Sequence, residues 1–116
     1  MLSSEEKKFL VIRAEKYYDG KLGKTDSDTQ IQRFSSIAQQ SSCYEEFMNF
    51  LKYQTGRAKN KGLIDFRKGL IEEIKAIKEK VGYEKSLEAI ASYFGYMARY
   101  AKFRRWLHEF FWWIPK

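Results

Sequence analysis

With 116 residues, 44% hydrophobic and 17% aromatic, the chain is long enough to bury a core and too apolar for a disordered one, so a single domain over residues 1–116 is expected. One cysteine excludes an intrachain disulfide and points to a cytoplasmic protein, while no run approaches the roughly 20 apolar residues of a spanning helix. The formal net charge of +7 is unevenly spread, and such clustering suggests a surface that meets something anionic.

Residues 1–6 carry neither a basic flank nor an apolar run, so no signal peptide is expected. Ser3 and Glu6 have capping-box spacing, and Phe9, Leu10, Ile12, Ala14 and Tyr17 follow at helical intervals until Gly20, which predicts a first helix. Residues 21–28 read as an exposed loop. Gly23-Lys24-Thr25 within it resembles the end of a phosphate-binding loop, but Tyr18 stands where that motif needs a glycine and no strand precedes it. A second helix is expected over about 29–39, with Ile31, Phe34, Ile37 and Ala38 on one face. Ser42 and Glu45 predict another capping box, opening a helix that buries Phe47, Met48, Phe50 and Leu51, with Gln54 or Ala58 completing the face. Asn60-Lys61-Gly62 predicts a break.

From Leu63 to Val81 the apolar positions Leu63, Ile64, Phe66, Leu70, Ile71, Ile74, Ile77 and Val81 hold helical spacing for nearly five turns, and Gly82 stops the run. The last helix starts near Glu84 and presents Leu87, Ile90, Ala91, Phe94, Met97, Ala98 and Ala101 on one side. Tyr93, Tyr96, Tyr100 and Phe103 form a second, aromatic side. Pro115 is the only proline, so little interrupts these segments. The expected fold is therefore all-α, a compact bundle of about five helices with a long C-terminal helix.

Catalytic and metal chemistry find little support. His108 is the only histidine and is far from Cys43 in sequence, so neither a metal cluster nor a base-assisted nucleophile is expected, and no cofactor is implied. Glu72 and Glu73 are neighbours on a helix and diverge by about 100°, so they are read as solvated partners of Lys68 and Lys75 rather than an acid/base pair.

Two basic blocks stand out. Lys52, Arg57, Lys59, Lys61, Arg67 and Lys68 face only Asp65 in the first, and Arg99, Lys102, Arg104, Arg105 and Lys116 face only Glu109 in the second. Mixed with Tyr53, Gln54, Tyr100 and Phe103, these cations suit RNA: they neutralise phosphates while rings stack on bases or support long basic side chains. The competing reading is a solvated basic face beside core aromatics.

The order of motifs resembles the small subunit of the type III-A CRISPR effector, the Csm complex. The resemblance covers residues 29–103 and rests on Thr29-Gln30-Ile31-Gln32-Arg33-Phe34, Phe50-Leu51-Lys52-Tyr53-Gln54-Thr55-Gly56-Arg57, Leu63-Ile64-Asp65-Phe66, Leu70-Ile71-Glu72-Glu73-Ile74 and Tyr96-Met97-Ala98-Arg99-Tyr100-Ala101-Lys102-Phe103. It implies a small, all-helical, non-catalytic antiviral-defence subunit, several copies of which stack against the CRISPR backbone and large subunits and track the duplex of guide RNA and target RNA. On that resemblance Arg57 matches the family's motif arginine and Lys102 its late lysine, both candidates for RNA-backbone contacts; Arg57 is either such a contact or a buried arginine bonding helix ends. The early arginine stands one place later than in the family, at Arg33.

The aromatic tail, residues 104–116, lies outside the resemblance. Trp106, Leu107, Phe110, Phe111, Trp112 and Trp113 are too apolar to stay solvated and fall on more than one side of a helix, so self-association through Trp106, Phe110, Phe111, Trp112 and Trp113, as a homodimer of the isolated chain, is expected. The alternative is a membrane-surface or protein-interaction module using the same tail, which explains the tail but not the motif order.

Overall fold

A computed structural model describes residues 1–113, with side chains described through residue 110. Its five helices are α1 (Ser4–Gly20), α2 (Asp28–Gln40), α3 (Tyr44–Gly56), α4 (Lys61–Val81) and α5 (Ser86–Trp113). All regular structure among the described residues is helical.

The helix starts follow from side chains that satisfy free backbone N–H groups. The Ser3 hydroxyl accepts from the Glu6 amide at 3.1 Å and the Glu6 carboxylate accepts from the Ser3 amide at 2.8 Å, forming the expected capping box. Ser27 caps α2 through the Gln30 amide, and Asn60 caps α4 through the Leu63 amide at 2.8 Å, so the expected break at 60–62 is a stop and restart. The expected Ser42–Glu45 box does not form. Cys43 takes the cap position without a side-chain bond, and the helix starts one residue later, with Tyr44 buried as its first residue. Glu46 reaches back to the Ser42 amide at 2.7 Å, while Glu45 accepts instead from the Tyr83 hydroxyl at 2.7 Å. At the end of α4, Gly82 adopts φ +90°, a left-handed conformation that side chains resist, and its amide closes on the Lys78 carbonyl at 2.8 Å.

The helices alternate in direction. Lys85 meets Glu6 and Tyr83 meets Glu45, so α1, α3 and α5 all begin at one end of the bundle. At the other end Tyr100 meets Asp19 and Arg105 meets Asp28, bringing the ends of α1 and α5 beside the start of α2. The central helix is α5, which packs on α2, α1 and α4, while α3 packs mainly on α4. Leu10, Ile31, Phe34, Phe47, Leu51, Phe66, Leu70, Ile74, Ile77, Ile90, Tyr93 and Phe94 are fully buried in one cluster. Within it Phe34 meets Phe94 edge-on at 5.4 Å and Phe50 at 6.0 Å, tying α2 to α5 and α3.

Two close approaches organise the rest. Ser35 donates to the Ala91 carbonyl at 2.8 Å and its hydroxyl lies beside Gly95, so α2 settles against this stretch of α5. Tyr17 lies across Gly69 and donates to the Phe66 carbonyl at 2.5 Å, leaving no room for a side chain at position 69. Glu73 corrects the expectation of a solvated carboxylate. Arg13 grips it through two bonds of 3.0 Å and Tyr93 donates to it at 2.9 Å, joining α1, α4 and α5, whereas Glu72 does pair with Lys75 at 3.3 Å on the surface.

Candidate nucleic-acid interface

The two basic blocks, separate in sequence, reach the same end of the bundle. The first spans the α3–α4 junction and the second the late part of α5; because alternate helices reverse direction, both junctions lie where α1 ends and α2 begins. The loop at 21–27 threads between them, with the Lys24 side chain against Gly62 and Lys21 bonded to Asp65 at 3.2 Å.

Arg67 fixes this end from inside, which overturns its expected role as an RNA contact. It is 8% exposed, its Nε and Nη2 donate to the two Asp26 oxygens at 3.0 and 2.7 Å, and its Nη1 donates to the Gln54 carbonyl at 2.7 Å. One guanidinium thereby joins α4, the 21–27 loop and the last turn of α3. Three of its five N–H donors are committed inside the protein, and its burial keeps it from the surface a phosphate would meet. Arg57, the residue for which a buried role was open, is instead exposed at the C-cap of α3, with its guanidinium 5.4 Å from the Tyr53 ring. Within the Tyr53-Gln54-Thr55-Gly56-Arg57 run, Gln54 is the buried member, Thr55 bonds back to the Leu51 carbonyl at 2.8 Å, and Tyr53 is 60% exposed.

The four aspartates at this end are already engaged. Asp19 accepts from Tyr100 at 2.6 Å and lies 3.6 Å from Arg104; Asp26 holds Arg67, Asp28 holds Arg105 at 2.9 Å, and Asp65 holds Lys21. The Lys21 ammonium keeps the Asp65 carboxyl below its ordinary range, and partial burial with the Asp19 carboxylate raises the Tyr100 hydroxyl. Arg104 and Arg105 are thus partly neutralised by pairs within the chain. Lys52, Arg57, Lys59, Lys61, Lys68, Arg99 and Lys102 are exposed and form no ion pair with a carboxylate among the described residues.

Not all of these share one patch. Arg57, Lys59 and Lys61 frame the α3–α4 junction, and exposed Lys24, which sequence reasoning left out, joins them because its side chain runs beside Gly62. Lys52 lies instead in a groove between α3 and α4, beside Lys75, Lys78, Glu45 and Glu79. Arg99 sits on the outer face of α5, over the Tyr96 ring at 5.8 Å, where it edges an open groove of about 640 Å³ between α2 and α5.

The same outer face carries a ladder of rings. Tyr100, Phe103, Trp106 and Phe110 follow one another at centroid distances of 6.1, 6.2 and 5.3 Å, the last two pairs nearly parallel at 22° and 17°. Phe103 and Trp106 are 49% and 54% exposed. The side chains of Phe111, Trp112 and Trp113, expected to mediate self-association, lie outside the described residues. No three His, Cys, Asp or Glu side chains cluster as metal ligands among the described residues, and no helix there is long and apolar enough to cross a membrane. No family model matches the chain, and neither does any curated protein or solved structure.

Proposed function

We propose that the chain is a non-catalytic, RNA-contacting subunit of a type III-A CRISPR ribonucleoprotein, similar to the small subunit of the Csm complex. Its work is electrostatic. It holds the guide–target duplex by phosphates while base pairing supplies sequence specificity. The observation that carries the reading is the distribution of charge at one end of the bundle: its aspartates are engaged internally, whereas Arg57, Lys59 and Lys61 stay exposed and outside any ion pair among the described residues. Motif order over residues 29–103 supplies the ribonucleoprotein context, with backbone and large subunits and further copies of the chain as neighbours. In that context each copy would lay its basic end against successive phosphates.

The test is RNA retention by the assembled complex. Arg57→Ala and Lys102→Ala are expected to weaken retention, and Lys8→Ala, an exposed cation at the opposite end, to leave it unchanged. Equal loss from all three would remove the localised interface.

A further inference from the structure

The exposed rings of α5 lie on the side of the helix turned away from the core. At 3.6 residues per turn, Phe103, Trp106 and Phe110 fall within a narrow stripe roughly half a turn from buried Met97 and Ala101. Arg99 belongs to that stripe one turn earlier, and Lys102 flanks it. Half-exposed stacked rings beside cations suit an occupant with a flat apolar face and negative charge. A phospholipid or a second copy of the chain meets one requirement better than the other.

We infer that the Arg99–Phe103–Trp106 face of α5 is a stacking platform for unpaired nucleotides of a single RNA strand. Arg99 takes a phosphate and Trp106 takes a base. A duplex hides its base faces within its own stack, so only an unpaired strand can use the rings. This inference builds on the RNA-contacting function proposed above but assigns a different ligand state to a different surface: duplex phosphates at the bundle end, unpaired bases on outer α5.

The probes are a short oligouridylate and a blunt RNA duplex of equal length, added to full-length chain carrying Trp112→Phe and Trp113→Phe so that Trp106 is the sole tryptophan. Oligouridylate is expected to quench Trp106 fluorescence, whereas the duplex binds without quenching. Trp106→Ala should lower affinity for the single strand by about 5- to 100-fold, with Trp106→Phe retaining most of it and duplex affinity unchanged. Salt-dependent duplex binding with no quenching by the single strand, and no loss in Trp106→Ala, would overturn the platform and leave the duplex-holding function standing. Failure of both RNAs to bind would overturn both. A Trp106 signal that follows protein concentration without RNA would assign the face to a second copy and overturn the platform.

Discussion

Replacing Arg67 with alanine separates a structural arginine from an RNA contact. The substitution removes three hydrogen bonds of 2.7–3.0 Å and leaves the Asp26 carboxylate, 5% exposed, without its counter-charge. Breaking a buried pair from one side costs about 3–5 kcal/mol, chiefly because the remaining charge stays desolvated. Against a domain stability of about 5–15 kcal/mol, that loss should lower the melting temperature by roughly 10–20 °C. Circular dichroism melts and urea titration measure it directly. Removing both charges, as Arg67→Met with Asp26→Asn, should recover part of the loss, since no unpaired charge is then buried. A melting temperature within about 2 °C of the parent chain, together with a shallower salt dependence of RNA binding, would refute the buried role and return Arg67 to the RNA surface.

Three further outcomes are expected. Gly69→Ala should destabilise by about 1–2 kcal/mol in urea titration despite alanine's better helix propensity, because the new Cβ would collide with the Tyr17 hydroxyl; Tyr17→Phe in the same chain should relieve much of that loss. Above pH 10 stability should fall. Burial and Glu73 raise the Tyr93 hydroxyl well above its ordinary value, so the unfolded chain releases that proton first and stability present below about pH 10 is lost at up to about 1.4 kcal/mol per pH unit, a slope that Tyr93→Phe should reduce. Ser3→Ala, which removes one half of the capping box, should cost about 1 kcal/mol in thermal melts, and a neutral result would place the α1 start outside the cooperative unit.

Much of the fold is legible because its signals are local. Ser3 with Glu6 and Gly82 mark helix limits through geometry involving a few adjacent residues, and the apolar stripe of α4 specifies its buried face. The misplaced α3 cap shows where locality ends: Glu45 is drawn to Tyr83, 38 positions away, and the helix starts beyond Ser42. Arg67 and Glu73 carried a signal that charge counting hides. Arg67 lies three before Leu70 and seven before Ile74, and Glu73 lies seven after Phe66, so both sit on the apolar stripe where an ionic group must find a partner. Their partners, Asp26 and Arg13, come from other elements and could not be read from spacing. The meeting of the basic blocks was implicit in an up-and-down bundle, since the α3–α4 junction and the end of α5 then share one end. Internal neutralisation of Arg104 and Arg105 by Asp19 and Asp28 depends on tertiary placement and left no trace in the composition.

The central claim, that the bundle end binds RNA by phosphate neutralisation, is tested most directly by duplex affinity over a salt series for the parent chain and for Arg57→Gln, Lys59→Gln and Lys61→Gln combined. Each cation that meets a phosphate contributes about 0.7–0.9 to the slope of log affinity against log salt. The account predicts a slope shallower by roughly 2–3 in the triple variant, with an unchanged melting temperature because all three side chains are exposed. An unchanged slope in a folded triple variant would contradict it.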